Sequence, residues 1–309
     1  MDNRRKIRVH FADFWPDFQP EDFFIYQLLS RKYRLEQNEA TPDYLFFSSF
    51  GDSHLRYKDC VKIYWTGENL FPDFNLCDYA MGCAFLQFGD RYLRFPEWVI
   101  YNRASMYNKA PVNETMSLNR KFCNFVYSNS ENADPFRLRF FKRLSEYKRI
   151  DSGGQLENNI GGCVVDKLFF LSKYKFTIAF ENSRVDGYTT EKLIEPLSVD
   201  SLPIYWGNPC VHLDFNIDAM VYVRDCEAMD EAIEEIIALD NDDAAYLEKL
   251  RQPCFPNGSY KDWWKKPVDF LDHILNQDKE EAIRRAAYGA QLWYCYKKST
   301  LGLHMNHTG

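Results

Sequence analysis

Four side chains in one short turn have the types and spacing to hold a ligand that carries phosphate and sugar. From Ile178 to Pro209 the chain reads IAFENSRVDGYTTEKLIEPLSVDSLPIYWGNP, which parses as a strand, a polar turn, a helix, a second strand and a loop. The turn gathers an amide (Asn182), a phenol (Tyr188), a carboxylate (Glu191) and an ammonium (Lys192). An open α/β sheet binds its ligand at such a strand-to-helix junction. Thr189 or Thr190 can cap the helix that follows, and the free N–H groups of its first turn attract anions. Lys192 stands where the helix dipole disfavours a cation, a placement that makes sense if an anion supplies the balance. Glu191 beside it could accept hydrogen bonds from the two vicinal hydroxyls of a ribose. A capped helix with a solvated Glu–Lys face would use the same residues.

Two more groups complete the chemistry. The segment PFRLRFFKRLSEYKR (135–149) is a basic helix whose charges mostly belong on a solvated face. Arg137 differs in sitting at its start, just beyond a strand, where a guanidinium can grip a diphosphate through two parallel hydrogen bonds. Glu68, in YWTGENLFPDF, follows a strand and a Gly, where a carboxylate could serve as general base toward a hydroxyl. Asp73, Asp78, Asp90 and Arg91 are weaker candidates of the same kind. Asp240-Asn241-Asp242 resembles a metal-binding Asp-x-Asp, but it falls between two amphipathic helices, where such residues are ordinary turn and cap chemistry. The six histidines show no i, i+4 pair, and His10 in a buried strand reads as a core residue. No zinc spacing, P-loop or GxGxxG is present, so no metal site is expected.

These residues need a scaffold. A chain of 309 residues, 46% apolar and 17% aromatic, can build two cores. A net charge of −7 argues against nucleic-acid binding. The start MDNRRKIRVHF lacks a signal-peptide core, and no apolar run approaches the roughly 20 residues that span a bilayer. Nine scattered cysteines then point to a reducing, cytoplasmic setting with unpaired thiols. The triplets at Asn113, Asn257 and Asn306 are chance glycosylation matches in that setting. Strands are expected over 6–11, 43–49, 61–67 and 122–129, and around 77–85, 91–101, 178 and 220–225, with helices over 21–33, 135–147, 166–174, 228–239 and 242–250. Alternating strands and helices imply a parallel sheet covered on both faces. The polar stretch 101–120 is the expected interdomain connection. The expected division is thus 1–118, 119–260 and a helical tail 261–309 that packs back on the first domain. The loops over 10–20 and 101–120 are expected to shape an acceptor pocket.

With these residues in place, FEN (180–182), GYTTEK (187–192) and LPIYWGNP (202–209) resemble the signature of the α-1,3/4-fucosyltransferases, glycosyltransferase family 10. Bacterial members are the most similar, through WTGENLFPDFNLCDYAMG (65–82) and FGDRYLRFP (88–96). The resemblance spans roughly residues 60 to 250. It implies a GT-B architecture, two Rossmann-like domains facing a central cleft, with GDP-β-L-fucose on the C-terminal domain. It implies Glu68 as general base, Arg137, Tyr188 and Lys192 on the diphosphate, Glu191 on the ribose and Asn182 beside the donor. The implied reaction is inverting transfer of L-fucose to the 3-OH of GlcNAc in a Galβ1-4GlcNAc (N-acetyllactosamine) acceptor, giving a Lewis-x-like product. No cofactor is expected and a divalent metal at most stimulates. A related inverting enzyme with another acceptor or an α-1,4 linkage, or a silent glycan-binding protein, are the alternatives. The tail lacks the heptad repeats and basic membrane-associating segment of some bacterial relatives. Stable membrane insertion is therefore not expected, while peripheral contact at the inner face stays open.

Overall fold

The computed structural model describes residues 3–101, 106, 110–128, 131–256 and 262–286. The chain forms two compact α/β units, one from Met1–Phe95 with the described part of Asp262–Gly309, the other from Pro96–Lys261.

In the first unit, β1 (Lys6–Ala12), α1 (Phe24–Ser30), β2 (Arg34–Gln37), β3 (Tyr44–Phe47), β4 (Val61–Trp65), β5 (Tyr79–Gly82) and β6 (Tyr92–Arg94) follow in sequence. All pairs are parallel and the sheet order is β2-β1-β3-β4-β5-β6. Every residue of β3, β4 and β5 is buried, as a parallel sheet covered on both faces requires.

The second unit contains α2 (Glu114–Leu118), β7 (Lys121–Phe125), α3 (Phe136–Ser145), β8 (Ile150–Ser152), α4 (Lys167–Leu171), β9 (Tyr174–Phe180), α5 (Glu191–Ser198), β10 (Leu202–Trp206), β11 (Val221–Tyr222), α6 (Met229–Asn241) and α7 (Asp243–Leu250). Its sheet, also wholly parallel, runs β11-β10-β9-β7-β8. Counted within each unit, both sheets place their second strand outside the first and the third on the other side. Chain direction across the sheet therefore reverses between β1 and β3, and again between β7 and β9. In open α/β sheets the ligand crevice lies at the carboxyl ends of the strands at this reversal.

The boundary between the units differs from the expected one. The stretch 91–101 reads as one apolar piece, but the strand ends at Arg94 and Pro96 opens a 3-10 turn, Glu97–Val99. Trp98 is fully buried there against Phe215 and Phe255, at ring distances of 4.9 and 6.0 Å. These contacts tie the Glu97–Val99 turn to the second unit, and the division falls at Phe95/Pro96 instead of 118/119. Within the expected connection, 102–105 and 107–109 lie outside the described residues.

The chain then returns to the first unit through α8 (Lys265–Leu275) and α9 (Lys279–Ala282). Trp264 packs on Phe24 and Phe95 at 5.9 and 5.6 Å. Arg285 forms an ion pair with Asp78, whose fully buried carboxylate also accepts the backbone N–H groups of Lys62, Arg284 and Arg285 at 2.7–2.8 Å. Residues 287–309, which hold Cys295, His304, His307 and Asn306, lie outside the described residues, as does Asn257. Among the described residues no helix is long and apolar enough to cross a membrane, and no two cysteines are joined in a disulfide.

Candidate active site

The reversal point of the second sheet collects the polar turn. Tyr127 leaves the end of β7, and its hydroxyl lies 3.0 Å from the carbonyls of Ile178 and Phe180 while accepting Phe180 N–H at 2.7 Å. Burial pushes this phenol up to about 12, against the opposing pull of Arg137 and Lys192. The Arg137 guanidinium lies over the Tyr127 ring, 4.0 Å from its centroid, a cation–π contact strengthened by burial. One of its terminal nitrogens, Nη2, donates to the Phe180 carbonyl at 3.0 Å and to Asn182 Oδ1 at 2.8 Å. Its buried Nε has no partner among the described residues. A cavity of about 370 Å³ opens beside it at the start of α3, lined by Asp134, Arg137, Arg139 and Lys142. The arginine is thus fixed through one nitrogen and keeps further donors for an anion.

On the other side of the turn, Glu181 directly follows β9 and is fully buried. Its two carboxylate oxygens accept the backbone N–H and the hydroxyl of Thr190, both at 2.8 Å. Thr190 in turn caps α5. Lys192 Nζ stands 3.2 Å from Thr190 Oγ1, 3.2 Å from Glu191 Oε1 and 3.7 Å from Glu181 Oε2. Burial raises the Glu181 carboxyl to about 7 although Lys192 pulls it down. Burial works against the Lys192 ammonium, but Glu181 and Glu191 outweigh it and the net shift is upward. For Glu191 burial is overcome by Lys192 and Lys167, and its carboxyl is lowered. The result is two carboxyl groups sharing one ammonium at a helix start.

Backbone geometry holds the turn. Gly187 adopts φ +86°, and its N–H donates to Asn208 Oδ1 at 2.8 Å. Asn208, fully buried, also accepts Cys210 N–H at 2.8 Å and donates to Thr189 Oγ1 at 3.0 Å. Gly207 has φ +151°, and a Cβ there would stand 2.4 Å from Glu181 Cγ. Gly207→Ala is therefore expected to lower stability by about 1–3 kcal/mol, the cost of overpacking, and to weaken nucleotide binding. Thermal melting and a GDP titration check this; an unchanged melting midpoint would contradict the role given to Gly207.

Arg137, Asn182, Glu191 and Lys192 are thus brought together. Tyr188 lies in the same turn with its side chain buried, its carbonyl 3.5 Å from the Tyr205 hydroxyl. Glu181, Asn208 and Tyr127 escaped the sequence reading. The signal for Glu181 was available: a carboxylate directly after seven apolar-patterned residues of a central strand. Glu68 belongs to the first unit, just beyond β4. Its N–H donates to Thr66 Oγ1 at 3.0 Å, and its half-buried carboxylate takes no partner among the described residues.

The weaker candidates are occupied otherwise. Asp78 pairs with Arg285, Asp90 with Arg284 and His273, and Arg91 donates to the carbonyls of Asp78 and Cys77. Asp242 caps α7 and Asp240 pairs with Lys148. No group of three or more metal-ligating side chains occurs among the described residues.

Comparison with known proteins is consistent across sequence and structure. Residues 9–101 match the "Alpha-(1,3)-fucosyltransferase FucT N-terminal domain" and residues 115–252 match "Glycosyltransferase family 10 (fucosyltransferase) C-term". A crystal structure of an α1,3-fucosyltransferase with GDP is 32% identical, with a TM-score of 0.74 over 90% of this chain and 92% of that one. The chain belongs to glycosyltransferase family 10. A crystal structure of an α1,3-fucosyltransferase with GDP-fucose is 30% identical, with a TM-score of 0.74 over 90% of this chain and 93% of that one. The Alpha-(1,3)-fucosyltransferase FucT of Helicobacter pylori is 35% identical over 88% of this chain. This chain spans 66% of that protein's length, and 25% of a putative fucosyltransferase of Acanthamoeba polyphaga mimivirus that is 29% identical. WaaG, a glycosyltransferase of lipopolysaccharide biosynthesis, shares only the fold, at 9% identity and a TM-score of 0.51. The two parallel α/β units are those of the GT-B class.

Proposed function

We propose that this family 10 protein transfers L-fucose from GDP-β-L-fucose to the 3-OH of GlcNAc in a Galβ1-4GlcNAc acceptor, with inversion at the anomeric carbon. The observation that carries the reading is the pair of cations at the reversal point of the second sheet. Arg137 is immobilised over Tyr127 with nitrogen donors to spare, and Lys192 stands at the capped start of α5. In the proposed reaction Glu68 takes the proton of the acceptor hydroxyl as its oxygen bonds to the fucose anomeric carbon. The bond from that carbon to the β-phosphate oxygen breaks, and GDP leaves with the electron pair. Arg137, Lys192 and the α5 N-terminus stabilise the growing charge; fixed groups aimed at developing charge are commonly the largest source of transition-state stabilisation. Glu191 holds the ribose, Asn182 lies beside the donor, and Tyr188 supports the diphosphate through its place in the turn.

With the leaving charge met by two side-chain cations and a helix start, transfer is expected to continue in EDTA, with divalent ions at most stimulatory. GDP release from GDP-fucose, measured with and without N-acetyllactosamine and with and without EDTA, tests both statements. Acceptor-dependent release that survives EDTA supports them. Release abolished by EDTA would refute metal independence, and no release at all would favour a silent glycan-binding protein. Nuclear magnetic resonance of the product reads the linkage directly: a 4-linked fucose would overturn the 3-OH assignment, and retained anomeric configuration would overturn inversion.

A further inference from the structure

The reversal point of the first sheet is also furnished with polar groups. Asp13 follows β1 and the 3-10 turn Ser53–Arg56 follows β3, so the two segments meet where the chain direction changes. Asp13 Oδ1 accepts the N–H of Ser53 at 3.0 Å and its hydroxyl at 2.5 Å. Asp13 Oδ2 accepts the N–H of His54 at 2.8 Å and meets its Nδ1 at 2.7 Å. Burial opposes ionisation of Asp13, but His54 and Ser53 hold its carboxyl at about 2. An ionised carboxylate only accepts, so Nδ1 must be the donor. The imidazole is stacked on Phe47 at 4.3 Å, and Lys62 Nζ pins the His54 carbonyl at 2.6 Å.

The ring is thus held by Asp13 and Phe47 and its backbone by Lys62, while Nε2 makes no hydrogen bond to a described residue. His54 lines a cavity of about 140 Å³ together with Ser48, Ser49, Tyr64 and Asp73. Ser48 is one of the lining residues, and its hydroxyl is buried, at 1% residue exposure, with no partner among the described residues. A buried hydroxyl without a partner is costly, and native structures leave few of them unexplained. One water needs about 10–15 Å³ of such space, so the cavity has room for a larger polar group. A short hydrogen-bond chain links the cavity wall to the Glu68 backbone. Ser49 Oγ is 3.5 Å from Thr66 Oγ1, which accepts the Glu68 N–H.

We propose that this cavity is an acceptor subsite in which His54 Nε2 and the Ser48 hydroxyl bind a neutral hydroxyl or acetamido group of the acceptor sugar. The inference rests on the fucosyl-transfer reading, in which the acceptor hydroxyl reaches Glu68. Asp13 is a positioning residue, since it acts only through the imidazole it orients.

The test uses Ser48→Ala and the full chain. Loss of one productive hydrogen bond is expected to raise the KM for N-acetyllactosamine about tenfold, while the KM for GDP-fucose moves less than twofold. A merely structural Ser48 would behave differently: removing an unsatisfied hydroxyl would leave both KM values in place and would not lower the melting midpoint. Both KM values unchanged therefore overturns the proposal. Lactose, which lacks the acetamido group, separates the two ligand chemistries. An equal rise for both sugars assigns a hydroxyl, and a rise for N-acetyllactosamine alone assigns the acetamido group. Wild-type protein gives an independent reading. The His54 ring ¹⁵N resonances, identified by their loss in His54→Asn, should shift when N-acetyllactosamine is added with GDP. Unshifted resonances at saturating sugar would overturn the subsite. Failure of the enzyme to release GDP with any acceptor would overturn the transfer reading instead, and the ¹⁵N titration would still decide the subsite.

Discussion

Glu68→Gln is expected to bind GDP as the wild type does and to lose fucosyl transfer by a factor of about 10²–10⁴, the usual contribution of a positioned general base. The substitution keeps the size of the side chain and removes only its ability to take a proton. The Glu68 carboxylate is half-buried and unpartnered among the described residues, while the backbone N–H that anchors the segment to Thr66 is untouched. Folding should therefore be indifferent to the change, and the melting midpoint should move by no more than a typical surface substitution would cause, about 0.5 kcal/mol. Calorimetric GDP titration and initial rates measured side by side separate binding from chemistry. Wild-type turnover by this variant would remove Glu68 from the role of base.

Lys192→Met should be more damaging because it breaks two things at once. Its ammonium stands between the Thr190 hydroxyl, Glu191 and the fully buried Glu181. Removing it leaves a buried carboxylate without its cation, a change that costs about 3–5 kcal/mol. It also removes one fixed charge from the leaving diphosphate, worth about 10²–10³ in rate for a comparable electrostatic group. The pH dependence follows from Glu181, whose folded pKa of about 7 lies above the value of an exposed glutamate. A carboxyl raised by folding contributes stability that is present at low pH and fades as pH rises toward the folded value. In the wild type that decline ends near 7; without Lys192 the folded value moves higher and the decline continues. The stability gap between the two proteins should thus widen above pH 7, at up to about 1.4 kcal/mol per pH unit. Denaturant unfolding at several pH values measures it. A Glu181→Gln, Lys192→Met double variant should recover much of the stability but not the transfer rate. Recovery of both would show that Lys192 serves the fold alone.

The sequence made the central strands legible and hid one edge of each sheet. β3 is a continuous apolar run, and β4 and β9 are predominantly apolar, broken only by Lys62 and by Lys175 and Thr177; their buried position between two layers is the reason. β2 (RLEQ) and β8 (IDS) went unseen because edge strands carry polar residues, which discourage pairing with other chains. The polar turn was legible because its residues crowd into one short window, and Arg137 because it opens a helix. Glu181 carried a positional signal, directly after a central strand, but its place as anchor of the turn shows only when Gly207, just beyond the neighbouring strand, is seen to vacate the space beside it. Asp13 and His54 lie 41 positions apart, and only the order of the strands brings them together. Trp98 shows the opposite error: an apolar run suggested continuity where a proline had ended the strand.

The return of the chain to its first unit has a consequence for biosynthesis. Asp78 is buried with counter-charge and backbone donors supplied by Arg284 and Arg285, residues that leave the ribosome about 190 positions after the last strand of that sheet is complete. At roughly 5–20 residues per second, the nascent chain carries that carboxylate without its partners for about 10–40 s. The second unit, drawn from one uninterrupted stretch, has all its strands available earlier. Vectorial synthesis thus reverses the usual order for this chain: the amino-terminal sheet is translated first and finished last, and a ribosome that stops before Arg284 leaves it unsealed.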